Sequence, residues 1–379
     1  MLDNHKLVLD TFCEVYDQIQ PWSDGEFYDL NKHTLIPGAI YLIGRAEFNA
    51  HRDQIRQWVE SNTIKVILSN PAEGSETLKW HCESMHHCAD LVKNGQILLI
   101  GGGDMDPEWP CLQYDSFLPK ILDYEENLQE IQHGESIFQK TQKPYKFLFL
   151  NGRLRAHRRY LIEYFDLHGI LDQALWTYLD STPNQFSKFS LIHNDQDLLL
   201  RPREVHYLPP EYEVPRYRDQ IGTSSQSFAK YDLFNREWGE IYLYARPYVD
   251  TYFSMVTETV FKYPYSFRTE KIWKPIAMGH PWICAANRGY YKDMKNLGFQ
   301  TFSSIIDESF DSIDNDQERM SRIAKVTQDL CKSDLVAFLE AARPVCKYNQ
   351  QHLAEMRTRV RAEFPQRFFN FLQQHQWMT

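Results

Sequence analysis

Several features that would class this chain quickly are missing from it. No apolar run approaches the ~18 residues that a membrane-spanning helix needs, so no span is expected. The opening MLDNHKLVLDTF lacks the basic segment followed by an apolar one that marks a secretory leader. The seven cysteines, at 13, 82, 88, 111, 284, 331 and 346, are odd in number and scattered. They encode no disulfide framework and point to a reducing, cytoplasmic setting. Basic charge is in deficit, with a formal net charge of -10. That balance disfavours generic binding to DNA, RNA or anionic lipid, which need a basic face. Three chemical signatures are also absent. Without G-x-x-x-x-G-K-S/T or G-x-G-x-x-G there is no phosphate-loop or dinucleotide fingerprint, and without G-x-S-x-G there is no hydrolase elbow.

What is present suffices for real cores: 43% of the 379 residues are hydrophobic and 14% aromatic, a composition unlike that of disordered chains. The length suits two domains. In the first part, short apolar runs at 38–44, 64–69 and 96–100 predict strands, and 46–61 and 75–93 are long enough for helices between them. Near-continuous apolar strands alternating with helices predict a parallel α/β sheet. The polar stretch 136–144 reads as a linker. Beyond it, 145–150 predicts a strand and 153–168 a helix stopped by Gly169. Further strands are predicted at 189–192, 241–244, 251–257, 281–284 and 301–305. Helical spacing returns at the end in Ile323, Val326 and Leu330 and in Leu353, Met356 and Val360. The proline-bearing stretch 194–239 is long for a structureless loop and reads as a lid or binding insertion. The expected organisation is an α/β domain over 1–140, a second over 141–345 and a helical segment over 346–379.

The most informative stretch runs from Glu258 to Gly289. Thr269 is a good helix N-cap, which puts Glu270 and Lys271 in the first turn. A helix N-terminus offers free N–H groups and a positive dipole end, suited to a pyrophosphate. A lysine there adds a point charge, and a carboxylate can accept ribose hydroxyls. The bland alternative is that Glu270 complements the dipole and Lys271 is solvated. Pro275 removes a backbone donor and predicts a kinked or late-starting helix. Upstream, Arg153, Arg155, Arg158 and Arg159 crowd a strand-to-helix junction. Arginines there can clamp a diphosphate bidentately or form an exposed face paired to acids.

These two stretches carry a resemblance. Glu258, the aromatic-rich loop, Arg268-Thr269-Glu270-Lys271-Ile272 and the proline and strand at 281–284 resemble the C-terminal signature of α1,3-fucosyltransferases. Phe149-Leu150-Asn151, the arginine-bearing helix through His157-Arg158-Arg159, and Asp172 are similar to the opening of that family's donor domain. The match covers roughly residues 145–310. It implies a GT-B glycosyltransferase: two Rossmann-like α/β domains with C-terminal helices closing the cleft. By resemblance, transfer is direct, inverting and metal-independent, with a nucleoside diphosphate sugar (GDP- or UDP-linked) as co-substrate and no cofactor required. The donor set carried over is Asn151, Arg153, Arg155, Arg158, Glu258, Arg268, Thr269, Glu270 and Lys271, with Arg158 and Lys271 on the diphosphate and Glu270 on the ribose. The acceptor, a glycan, a nucleic acid base or a small molecule, is left open.

The acceptor base is sought in the first domain, where loops after parallel strands face a ligand crevice. An inverting transfer needs one carboxylate to deprotonate the acceptor hydroxyl. Glu73 and Asp104 are the two candidates. Glu73 lies in a loop that alternatively just caps the next helix through Ser75. Asp104-x-Asp106 also reads as a D-x-D metal pair, and no metal ligand is assigned from so common a string. His81 to Cys88 holds ligand-type residues without a zinc spacing and reads as a helix with partly buried cysteines. Two rival functions stay open: a glycosyltransferase acting on a modified base of viral DNA, using the clusters Arg153–Arg159, Arg201–Arg203 and Arg216–Arg218, and a non-catalytic nucleotide- or glycan-binding module.

Overall fold

The computed structural model of the chain describes residues 7–10, 27–28, 35–74, 78–79, 82, 88–123, 125–152, 155–178, 206–212 and 242–378. They divide between two compact α/β units. One draws on Met1–Pro119, Tyr265–Arg268 and Met356–Thr379, the other on Lys120–Pro264 and Thr269–Glu355. The helices used below are α1 (Arg45–Glu60), α2 (Ala89–Lys93), α3 (Ala156–Leu167), α4 (Glu270–Met278), α5 (Tyr290–Asn296), α6 (Asp316–Lys332) and α7 (Leu335–Gln374).

The first unit contains strands β1 (Leu7–Asp10), β2 (Phe27–Tyr28), β3 (Ile40–Gly44), β4 (Lys65–Asn70), β5 (Ile97–Gly101) and β6 (Cys111–Gln113). They form one sheet in the order β2-β1-β3-β4-β5-β6, parallel throughout. The apolar runs are continuous because both faces are covered. Tyr41, Ile43, Val66, Leu68 and Leu99 pack with Phe48, Ile55 and Val59 of α1. Their strand neighbours Ile40, Leu42, Ile67, Leu98 and Ile100 point the other way, as the two-residue period demands. There they meet Phe364, Phe368, Phe371 and Leu372 from the last turns of α7.

The second unit contains β7 (Tyr145–Phe149), β8 (Ala174–Trp176), β9 (Thr251–Thr257) and β10 (Trp282–Ala285), ordered β10-β9-β7-β8 and again all parallel. The chain leaves β7 for β8 on one side, and β9 then takes the other side. The order therefore reverses between β7 and β9. Stacked Phe147 and Phe253, with ring centroids 5.5 Å apart, seal that junction. Helix α3 follows β7 and ends as expected: Gly169 adopts φ +67, a left-handed stop that costs a glycine little.

Three expectations are corrected. Residues 301–305 form turns, not a strand, with Phe302 accepting from Ile305 and Ile306. Its ring is buried edge-on against Trp282, so the apolar pattern is satisfied without a sheet. Residues 242–244 belong to no strand, with the Leu243 N–H donating to Asn127 Oδ1 at 2.7 Å, and lead into a short helix at Ala245–Val249. Helix α4 starts at Glu270 with Pro275 inside it; the start is not delayed, because the Thr269 cap fixes it. The strand expected at 189–192 lies outside the described residues, as does most of 194–239. No helix among the described residues is long and apolar enough to cross a membrane.

Candidate functional site

The β7–β9 reversal places Asn151, two residues beyond β7, among three strand ends. Its Oδ1 accepts from the Thr257 hydroxyl at 2.9 Å. Its N–H donates to Thr177 Oγ1 at 2.8 Å, and that hydroxyl returns a bond to the Asn151 carbonyl at 3.1 Å. Thr177 directly follows β8 and Thr257 ends β9. One buried asparagine therefore ties the carboxyl ends of β7, β8 and β9.

The N-terminus of α3 opens beside it. Arg155, exposed, is the N-cap in extended conformation, and no side chain caps the helix. In the first turn, buried His157 donates from Nε2 to the Glu258 carbonyl at 2.8 Å; a carbonyl only accepts, so Nε2 carries the proton. Burial drives the imidazole well below its usual range, and the charges of Arg158, Arg155 and Lys271 add to this. Arg158 is also buried and donates to the Thr257 carbonyl at 3.2 Å. Arg159 pairs with Glu163 at 2.5 Å. Arg153 lies outside the described residues.

At the end of β9, Glu258 is fully buried. Its Oε1 accepts the Thr269 N–H at 3.0 Å and its Oε2 the Thr269 hydroxyl at 2.7 Å, while Tyr290 of α5 donates to Oε1 at 3.3 Å. Burial pushes this carboxyl above its usual range. Thr269 in turn caps α4, its Oγ1 accepting the Lys271 N–H at 3.3 Å. The Lys271 side chain is 24% exposed, and its ammonium lies 2.5 Å from Glu270 Oε1 and 3.2 Å from Thr269 Oγ1. Burial alone would raise Glu270; the charge and hydrogen bond of Lys271 outweigh it and hold the carboxyl below its usual range. Glu258 is thus too enclosed to touch a ligand. It holds the residue that caps α4.

In the first unit, Glu73 sits three residues past β4. Its carbonyl accepts the Gly102 N–H at 2.9 Å, which fixes the backbone between two strand ends. Its carboxylate is 31% exposed and 3.4 Å from Arg45 Nη1. Asp104 is differently placed. Arg268 forks onto it, Nη1 to Oδ2 at 3.2 Å and Nη2 to Oδ1 at 3.0 Å, and Gln113 donates to Oδ1 at 3.2 Å. Nη2 also reaches Asp115 at 3.3 Å. The Arg268 side chain is 0% exposed, so it is engaged by two carboxylates of this unit rather than presented to a ligand. Gly103 makes the approach possible: φ is +68, and a Cβ there would lie 2.3 Å from the Ser266 carbonyl. Asp106 accepts from the Glu108 N–H at 3.0 Å and lies 3.8 Å from Lys79, so the D-x-D carboxylates have different partners. Of the His81–Cys88 stretch, Cys82 and Cys88 are described; both are buried and neither is in a disulfide.

No family model, curated protein or solved structure matches the chain. Its function is therefore argued from geometry. Sequence reasoning did bring Asn151, Glu258, Thr269, Glu270 and Lys271 forward, and the fold gathers them at one corner. It missed Thr257, Thr177 and Tyr290, which hold that corner together, gave His157 no role beyond its place in the helix motif, and missed Asp115, which shares Arg268. Thr257 had a signal in its position beside Glu258 at a strand end; Tyr290 and Asp115 had none, since their partners are remote in sequence.

Proposed function

We propose that the chain is a glycosyltransferase of the GT-B type. It moves a sugar from a nucleoside diphosphate sugar to an acceptor hydroxyl. The observation that carries this reading is the Asn151 tie across the reversal of strand order. In open parallel sheets, ligands dock outside the carboxyl ends of the strands at such a switch point. Here two helix N-termini, those of α3 and α4, belong to the loops that follow β7 and β9, and helix N-termini favour phosphate. Arg155 and Lys271 supply cationic side chains with solvent access.

In the proposed reaction, the Lys271 ammonium exchanges its Glu270 contact for the diphosphate. Glu270, released, accepts from ribose hydroxyls. The acceptor oxygen bonds to the anomeric carbon as the bond from that carbon to the diphosphate oxygen breaks, with inversion. The acceptor proton passes to a carboxylate. Glu73 suits this role better than Asp104, both of whose oxygens already accept from Arg268. Charge developing on the departing diphosphate is met by Lys271 and the α4 dipole, electrostatic stabilisation of the kind that dominates many group transfers.

A thermal-shift panel of GDP, UDP, CDP and their sugars, with Mn²⁺ or EDTA, tests the donor site on the wild type and Lys271→Ala. A ligand at 100 times its Kd stabilises by about 2.7 kcal/mol. One nucleotide is expected to raise the wild-type Tm, and the variant is expected to lose that rise. If none shifts the wild type under either condition, the donor reading is wrong. A shift without sugar transfer to any acceptor leaves a binding module.

A further inference from the structure

Beyond the phosphate-facing corner, the same sheet edge carries an aromatic ledge with no part in the chemistry above. We infer that His206, backed by Trp176 and flanked by Tyr207, is the platform on which the nucleobase of the donor stacks. This rests on the donor-site reading and extends it by one residue group.

The chain makes a particular arrangement to put His206 there. All strand pairs of both sheets are parallel, and the single antiparallel pairing among the described residues is the isolated bridge between Tyr178 and His206. Two backbone bonds fix it, Tyr178 N–H to the His206 carbonyl at 2.8 Å and His206 N–H to the Tyr178 carbonyl at 2.7 Å. The imidazole lies flat on the Trp176 indole, centroids 4.0 Å apart and planes 14° from parallel. His206 is exposed on the protein surface, and Tyr207 beside it is 47% exposed. Tyr178 is itself held from below, its hydroxyl accepting from buried Arg159 at 3.3 Å. The result is a pinned ring stack rather than a loose surface histidine.

Its position fits a nucleotide. Register pairs Phe149 with Trp176, so Asn151 comes level with Tyr178, one strand over. His206 is one pairing further out. Two inter-strand spacings of ~4.8 Å put its backbone roughly 10 Å from Asn151, about the reach from the phosphates of a nucleoside diphosphate to its base. Thr177, between Trp176 and Tyr178, is the residue hydrogen-bonded to Asn151, so the ledge and the anion corner share one rigid strand end. Every base has a flat π-face, and stacking on an aromatic ring is tolerant of which base it is. The platform therefore contributes affinity, and choice among bases falls to other groups.

Isothermal titration of GDP, UDP and inorganic pyrophosphate onto the wild type, His206→Ala and His206→Phe tests it. Loss of one stacking ring is expected to weaken the bound nucleoside diphosphate about 5- to 150-fold. Pyrophosphate, which has no base, should bind His206→Ala within about twofold of the wild type, and His206→Phe should restore nucleotide affinity. Trp176→Ala should repeat the His206→Ala pattern. If nucleotide affinity is unchanged in His206→Ala, the base lies elsewhere and the inference falls while the donor reading stands. If pyrophosphate weakens equally, His206 supports the corner and not the base, which also overturns it. If the wild type binds neither pyrophosphate nor nucleotide, the donor reading fails first and takes the platform with it.

Discussion

Two corners, each at the carboxyl ends of a parallel sheet, hold their carboxylates by opposite means. In the first unit, Asp104 and Asp115 are matched by a guanidinium: Arg268 is 0% exposed and engages both. In the second, Glu258 is matched by neutral donors, namely a backbone N–H and the hydroxyls of Thr269 and Tyr290. The first solution consumes the local cation. The second leaves Lys271 near solvent with a carboxylate it can exchange for an anion. A corner that is to bind a diphosphate cannot bury its cation in an internal pair, and this criterion favours the second unit as the donor site in the proposed function.

The largest expected effect tests the first corner. Arg268→Ala leaves both Asp104 and Asp115 without their shared counter-ion, and removing one partner of a buried pair, here the one with Asp115, costs about 3–5 kcal/mol. Chemical denaturation should show that loss. Arg268→Met combined with Asp115→Asn and Asp104→Asn should recover much of it, because no charge is then stranded. If Arg268→Ala costs under about 1 kcal/mol, a value typical of exposed pairs, the guanidinium is not the internal clasp argued above, and its availability to a ligand returns.

The next effect belongs to the second unit and follows from its buried histidines. His280 accepts at Nδ1 from Ser254 and donates from Nε2 to the Thr251 carbonyl, both at 2.9 Å. Burial holds it at about 3, with Lys143 adding its charge, and holds His157 well below 6.5. Below pH 6.5 the unfolded chain takes up protons that the folded chain refuses. Stability is therefore full above that pH and falls as pH drops, by ~1.4 kcal/mol per unit for each histidine. Glu258 works in the opposite sense, since its raised carboxyl favours the folded state as it protonates. Between pH 7.5 and 5.5 the two histidines should cost up to about 3 kcal/mol. Urea midpoints across that range measure it, and His280→Gln should shrink the change by about half. An unaltered profile in that variant means His280 is not held neutral.

Thr269 offers a finer cut. Thr269→Ala removes a helix cap, worth about 1 kcal/mol, and one of the donors to Glu258. A net loss of about 2 kcal/mol is expected, the removed hydrogen bond to a buried charge adding to the cap. Thr269→Ser keeps the hydroxyl and should restore most of it. Equal losses in the two variants point to the methyl group rather than the hydroxyl and break the account of how Glu258 is held.

How much of this was readable in advance depends on how far apart the partners lie. Ile97–Gly101 reads as a strand because five buried residues in a row satisfy both faces of a parallel sheet. The start of α4 reads from Thr269, whose capping bond spans two residues. The four-residue return of 265–268 to the first unit does not read at all. It depends on Arg268 meeting Asp104, 164 residues away, and on Gly103 leaving space for Ser266. Local pattern therefore found many of the elements and one helix terminus, and grouped Arg268 with residues of the second unit although its partners Asp104 and Asp115 lie in the first. The Asn151 tie was half legible: the asparagine was found, but Thr177 and Thr257 are ordinary residues until three strand ends meet.

The smallest expected effect on stability is also the sharpest on function. Glu73 is partly exposed, and its ion contact with Arg45 is long at 3.4 Å, so Glu73→Gln should change unfolding stability by less than about 0.5 kcal/mol. Its backbone role, accepting from Gly102, is untouched by the change. Donor binding in the second unit should survive as well. Sugar transfer should fall by about 10²- to 10⁴-fold, the usual contribution of a positioned general base, and the loss should be greatest at the pH where the wild type is fastest. Asp104→Asn is the control. It disturbs the Arg268 clasp, so it should cost stability first and activity only through it. If instead Glu73→Gln transfers normally while Asp104→Asn does not, the proton acceptor is the carboxylate in the guanidinium fork, and an engaged carboxylate is no disqualification for the base.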